Sequence, residues 1–363
     1  MKDSIYWIWL QQSLGFGSNK ILKILPNIDS IEDFYHSGLS YWNSLSIFTQ
    51  KELFYLSKNL DDSKRICEKC DKLGYKIVSC MSDKFPKMLR EITNPPCVLY
   101  VNGQLSVLSS DCVSIVGSRD ATIYGVQMAS EISEDLAKAG ITVVSGCAFG
   151  VDSASHKGAI SAKGMTIGVM ACGLDYPYLV KNLALREKIS NFGALISEYP
   201  PGYQVQKFNF PVRNRIISGM SPCTVVIEAG ARSGAVITAN IAAEQGRDVF
   251  VVPVRFDNPL SVGINSLIED GARVVTCAND IIKSSFSNNS HVSYKKVNSQ
   301  KINIPDKFKF ILKFIENKKI HINDLKFLTK IPMNKLSIYL TKMELLGLVE
   351  QLPGKFYRIS IEK

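Results

Sequence analysis

A chain of 363 residues exceeds one ordinary domain and fits two or three. Its 46% apolar and 21% charged residues lie near the globular average, which excludes wholesale disorder, a collagen-like repeat and a coiled-coil rod. The formal charge of +10 is uneven: residues 1–110 sum to +2, residues 111–282 to −2 and residues 284–363 to +9, with Lys283 adding one. Such a basic tail is the footprint of a phosphate-backbone binder, or else a solubilising end. No run of 18 uncharged apolar residues occurs, and the SIYWIWLQQ start has no small-residue cleavage site, so neither a membrane span nor a signal peptide is expected. Nine cysteines without an export signal read as the reduced thiols of a cytoplasmic protein.

Residues 1–73 are expected to be helical, because apolar positions recur at helical spacing in IYWIWLQQSL, KILKIL and KELFYLSKNL. Within them, Leu14-Gly15-Phe16-Gly17-Ser18-Asn19-Lys20 is a glycine turn that opens a helix. Such a turn either presents backbone N–H groups to a phosphate, as in helix-hairpin-helix modules, or joins two packed helices. From Gly74 short β-branched runs alternate with amphipathic stretches. Strands are expected at Cys112–Val116, Ile141–Ser145, Thr166–Ala171, Ala194–Ser197, Thr224–Glu228, Val249–Val252 and Arg273–Thr276, with helices such as Gly125–Ala139, Val180–Ser190 and Ala235–Gln245 between them. That alternation predicts an α/β domain over residues 74–283, a doubly wound, mostly parallel sheet whose ligands bind beyond the carboxyl ends of its strands. Residues 284–303, rich in Ser, Asn and Lys, read as a linker. Residues 304–363 carry three amphipathic helices followed by two short strands around a Pro-Gly turn, which is winged-helix order.

The first strand of the central sheet runs into Gly117-Ser118-Arg119. A glycine there lets the backbone approach an anion, the serine offers a hydroxyl and the arginine a phosphate fork, unless the glycine serves the turn alone. The most basic stretch of the sheet domain is Lys207-Phe208-Asn209-Phe210-Pro211-Val212-Arg213-Asn214-Arg215, where proline at a helix start sets two guanidiniums near a positive helix end. Phe208 and Phe210 interleave with these charges, as stacking platforms for bases or as core. Ser233-Gly234-Ala235 supplies a further glycine loop before a helix. No G-x-G-x-x-G follows the first strand and no Walker A sequence occurs, which disfavours nicotinamide, flavin and P-loop chemistry, so no cofactor is expected. Asp152 and His156 beside Ser145 or Ser153 suggest a triad on paper, but an i, i+4 pair at a helix start is more often a cap and a packing partner. Cys67-x-x-Cys70 has no second pair, so zinc is not expected either. These residues describe a binder rather than an enzyme.

IVGSR (115–119), SGCAFGVDSASHKGAI (145–160), TIGVMACGLD (166–175), SEYPPG (197–202), KFNFPVRNRIISGMS (207–221), VVIEA (225–229), SGAVITANIAAEQGRDVFVVP (233–253) and SVGINSLIEDGA (261–272) closely resemble the DNA-processing protein A family, DprA or Smf. The resemblance implies an extended Rossmann-like domain with an N-terminal sterile-alpha-like helical domain and a C-terminal winged helix. It further implies single-stranded DNA binding, a homodimer formed through the Rossmann-like domain, and loading of the RecA recombinase during natural transformation. Carried over by position, the DNA pocket would use Gly117, Ser118, Arg119, Lys181 beside Asn182, and Lys207, with Arg213, Asn214 and Arg215 as neighbours. Phe149 stands where the family commonly has a basic residue, so the contact there becomes stacking or is lost. Tyr178-Leu179-Val180-Lys181-Asn182 replaces a Tyr-Pro-x-x-Asn pattern, and Val254 replaces a glycine after Val-Pro. Two other readings remain at this stage: a Rossmann-like hydrolase acting on nucleotides, and a double-stranded DNA regulator acting through the winged helix.

Overall fold

The computed structural model describes residues 3–286, 306–315, 319–345 and 348–359. The expected linker falls outside these apart from residues 284–286. The chain divides into two compact units, Met1–Ser293 and Tyr294–Lys363.

The first unit is built on a nine-stranded sheet of β1 (Lys76–Ser79), β2 (Val98–Gly103), β3 (Cys112–Gly117), β4 (Thr142–Ser145), β5 (Thr166–Met170), β6 (Ala194–Ser197), β7 (Cys223–Ile227), β8 (Asp248–Val251) and β9 (Arg273–Val274), in the order β1-β2-β6-β5-β4-β3-β7-β8-β9. From β6 to β9 the sheet is parallel, and β2 runs antiparallel to both β6 and β1. All seven strands expected from the sequence are present. The antiparallel pair β1 and β2 is an addition, since these strands have no crossover helix between them and so lack the alternation that marks the others.

Period-two burial sorts the central strands onto two faces. Val113 and Ile115 of β3, Val143 of β4 and Val225 and Ile227 of β7 share a core with helices Ile123–Lys138 and Val151–Ser161. Val116, Val144, Val226 and Val251 turn the other way. That second core runs without a break into the N-terminal helices through Trp7, Ile8, Leu10 and Leu56, so the helical region and the sheet pack as one body. Helices Ser4–Leu14, Ile31–His36 and Gly38–Ser44 meet around Trp9, Phe34 and Trp42, with the two indoles 5.5 Å apart.

The chain moves outward from β3 through β4 and β5 to β6, then crosses back beyond β3 to β7 and continues to β8 and β9. The strand order therefore reverses between β3 and β7, and the two helices that leave these strands diverge and open a crevice beyond their carboxyl ends.

The second unit has helices Asp306–Ile315, Ile322–Thr329 and Met333–Leu345 and a three-stranded sheet of β10 (Ile320–His321), β12 (Phe356–Ile359) and β11 (Val349–Leu352) in that order. Ile311, Leu325, Leu336, Leu340 and Met343 form its core. Among the described residues, no helix is long and apolar enough to cross a membrane.

Candidate nucleic-acid interface

A cavity of about 560 Å³ fills the crevice between β3 and β7, lined by Gly117, Ser118 and Arg119 from the end of β3, Ala148 and Asp152 after β4, Phe210, Arg213 and Asn214 of helix Asn209–Gly219, and Gly230 to Ala235 after β7. Gly117 is required by packing. A Cβ on it would lie 2.0 Å from the Ile227 carbonyl oxygen, so a side chain would force the two strands apart at the mouth of the crevice. The loop after β3 is then fixed by Glu228, a buried residue held at φ 52°, whose carboxylate accepts hydrogen bonds from the Thr122 backbone N–H at 2.8 Å and its hydroxyl at 2.5 Å. The Thr122 hydroxyl in turn accepts from the Gly125 N–H and caps helix Ile123–Lys138.

Arg119 is exposed and lies over the Phe210 ring, 5.2 Å from its centroid, a cation–π arrangement at the cavity wall. Arg213 is buried and donates through Nη1 to the carbonyls of Gly146, at 2.7 Å, and Val169, while its Nε is buried with no hydrogen-bond partner. Burial raises the Asp152 carboxyl above the ordinary carboxylate range, against the pull of the Arg213 charge, and Asp152 accepts from the Ala148 N–H at 3.1 Å. Helix Gly234–Glu244 begins at the cavity wall, with the Ser233 hydroxyl accepting from the Val236 N–H.

Of the residues expected from the sequence, the cavity gathers Gly117, Ser118, Arg119, Arg213 and Asn214. Lys181 and Lys207 are exposed outside the lining, on the segments that lead to Asn182 and Phe210. Phe149, 38% exposed, stands one residue from Ala148 of the wall. Asn182 is buried and donates to the Cys147 carbonyl at 3.2 Å and the Ser153 hydroxyl at 3.0 Å, so it shapes the turn after β4 rather than meeting solvent. Arg215 does not line the cavity. It is buried against Glu198, with Nη2 2.5 Å from Oε2.

Glu198 also answers the glycine turn of the N-terminal region. Its other oxygen accepts from the Gly17 N–H at 3.3 Å, while the Phe16 ring packs 4.5 Å from Tyr199 and 5.1 Å from Tyr203. Gly17 sits at φ +75°, and its Cβ would meet Val212 at 3.0 Å. Of the two readings of this turn, packing holds: the amide meets a carboxylate of the sheet domain.

His156 is fully buried. The Thr166 hydroxyl donates to the Val143 carbonyl at 2.8 Å and therefore accepts from His156 Nδ1 at 2.7 Å, which leaves Nε2 unprotonated and 3.7 Å from Cys147 Sγ. Burial, with the Arg213 charge second, depresses the imidazole to about 3. This histidine is a neutral packing group.

Sequence reasoning missed two contributors. Arg232, exposed on the cavity wall, was passed over for the glycine loop that follows it, although Ala231-Arg232-Ser233-Gly234 carries the guanidinium in plain view. Glu228 escaped because an acidic residue ending a strand has no signal of its own.

The fold and the site define an α/β protein with an arginine-lined cavity at the switch point of a mostly parallel sheet. The chain belongs to the DNA recombination-mediator protein A family, whose model matches residues 76–285; the family's field is DNA processing in recombination. It is 40% identical over 211 residues to DNA processing protein DprA of Bacillus subtilis, covering 58% of this chain and 71% of that protein. It is 34% identical over 286 residues to DNA processing protein DprA of Streptococcus pneumoniae, covering 78% and 98%. The X-ray structure of the S. pneumoniae protein matches with a TM-score of 0.68 at 32% identity over 78% of this chain and 99% of that one. A structure of DNA processing protein A from Helicobacter pylori, described for its unique single-stranded DNA binding mode, matches with a TM-score of 0.53 at 30% identity over 58% and 94%.

Proposed function

We propose that this chain is a non-catalytic, single-stranded DNA-binding recombination mediator, which protects incoming DNA and delivers it to the RecA recombinase as a homodimer formed through the sheet domain. The observation that carries the reading is the cavity itself. Arg119 lies over the Phe210 ring and Arg213 lines the same cavity at a strand-order switch point, which supports a combination of phosphate contact with an aromatic group for a base. Exposed Lys181, Lys207 and Phe208 extend that combination along the neighbouring segments. His156, neutral and sealed from the cavity by its own partners, favours a binder over a hydrolase working through this histidine. The second unit, with three helices, a short strand after the first of them and a closing strand pair that completes a three-stranded sheet, supports a winged helix that adds a separate basic module.

If Arg119, Lys181, Lys207 and one neighbour neutralise about four phosphates, the log–log salt slope on an oligo-dT strand is about −3, at roughly −0.7 per contact. Fluorescence anisotropy over a salt series measures it, with duplex as competitor. Salt-independent affinity, or equal affinity for duplex, refutes the assignment of the cavity to single strands.

A further inference from the structure

The cavity between β3 and β7 carries more positive charge than an internal DNA phosphate needs. Its charged lining is Arg119, Arg213 and Arg232 against Asp152, three cations and one carboxylate. Among the described residues, neither Arg119 nor Arg232 has a hydrogen bond or an ion pair, and the buried Arg213 Nε is unpartnered. The nearby Glu228 carboxylate is committed to Thr122, and Asp152 to the Ala148 amide. Arg119 and Arg213 share the one carboxylate, Asp152, and Arg232 has no charged partner among the described residues, so three arginines line the cavity against a single carboxylate, beside the Ser118 hydroxyl and the start of helix Gly234–Glu244. An internal phosphodiester brings one negative charge, whereas a phosphomonoester brings about −1.5 to −2 at pH 7 and a third oxygen to accept donors. The volume of about 560 Å³ lies within the range of pockets that enclose one small ligand.

We propose that the cavity is a subsite for one nucleotide carrying a phosphomonoester, a free mononucleotide or the 5′-phosphorylated end of a strand, and that it prefers this dianion to an internal phosphodiester. The proposal rests on the DNA-binding reading of the same cavity and adds to it a preference for charge state. Arg232 supplies the discrimination: it is the uncommitted guanidinium on the β7 side, opposite Arg119 on the β3 side.

The full chain is titrated calorimetrically with dTMP, with the 5′-methyl ester of dTMP and with thymidine. The ester keeps the base and sugar but carries a single charge. The expected result is dTMP binding at least about tenfold tighter than its ester, the scale of one charge-assisted hydrogen bond, with thymidine weaker still. Arg232→Ala, at an exposed position and with its fold checked by circular dichroism, should bring dTMP and the ester within about threefold of each other. Displacement of a labelled oligo-dT strand by 5′-phosphorylated and 5′-hydroxyl oligonucleotides then separates the sources. A preference for the phosphorylated strand assigns the subsite to strand ends, and equal potency with active dTMP assigns it to free nucleotides. Equal affinity for dTMP and its ester, or a preference that survives Arg232→Ala, overturns the proposal. A strand that binds while dTMP does not overturns it too and leaves the DNA-binding reading standing; dTMP that binds while no strand does overturns the DNA-binding reading instead.

Discussion

Replacing Arg215 by alanine tests whether this arginine is structural, in contrast to the DNA-contacting role proposed for the cavity arginine Arg213 two positions away. The Arg215 and Glu198 side chains are 4% and 2% exposed, and their 2.5 Å contact joins helix Asn209–Gly219 to the residue after β6. Alanine removes the cation and leaves a buried carboxylate with the Gly17 N–H at 3.3 Å as its remaining donor. Breaking one side of a buried pair costs about 3–5 kcal/mol, a large share of the roughly 5–15 kcal/mol that holds a domain folded. Arg215 Nε and Nη1 lack partners, so the intact pair is itself imperfectly compensated. An apolar replacement of both residues, Arg215→Met with Glu198→Leu, should therefore recover most of the loss. All three tryptophans, Trp7, Trp9 and Trp42, lie in the N-terminal helices that this pair anchors, so their fluorescence in a urea titration reports the released region, while circular dichroism follows the sheet. The expected result is a lower urea midpoint for Arg215→Ala, recovery in the double variant, and oligo-dT affinity within about threefold of wild type below the transition. A variant within 1 kcal/mol of wild type in stability but tenfold weaker on DNA would refute the buried-pair account and return Arg215 to the interface.

The parallel sheet was legible because its strands are buried on both faces and read as unbroken apolar runs separated by amphipathic helices, a pattern that a single chain displays without any alignment. Strands β1 and β2 lack that rhythm, because only the four-residue helix Lys87–Arg90 lies between Lys76–Ser79 and Val98–Gly103, with no amphipathic crossover helix. The site was legible to the extent that its residues stand at strand ends. Gly117-Ser118-Arg119 follows β3 directly, so topology alone places it at the crevice. The Arg213-Asn214-Arg215 run was ambiguous for a reason of helix geometry. Residues two apart on a helix point about 200° from each other, so one arginine of the run turns to the cavity and the other to the N-terminal region. Which one does so depends on Glu198 and Gly17, 17 and 198 residues away along the chain. Asn182 is a similar case: its neighbour Lys181 is exposed, but its own amide is spent on the turn after β4.

Arg119→Ala should shift the salt slope on oligo-dT by about 0.7 toward zero with a stability change within about 0.5 kcal/mol, because the side chain is exposed and its one ring contact is Phe210. An unchanged slope would remove Arg119 from the phosphate contacts. A fragment of residues 1–293, the first compact unit, should fold and keep most of the single-strand affinity, since every residue of the cavity lies within it. A folded fragment that loses nearly all binding would move the main site to the basic tail. The last expectation concerns acid. His156 is held neutral in the fold with a pKa of about 3, whereas in the unfolded chain it titrates near 6.5, so the unfolded state takes up its proton first as the pH falls. Its contribution is complete above about pH 6.5 and is lost progressively down to pH 3, about 2 kcal/mol between pH 7 and pH 5. Asp152 acts with the opposite sign, its raised carboxyl favouring the fold at low pH, and it is common to wild type and His156→Gln, so it cancels in the difference between them. Urea midpoints at pH 7 and pH 5 should therefore fall more steeply for wild type than for His156→Gln, and parallel falls would refute a buried, neutral imidazole.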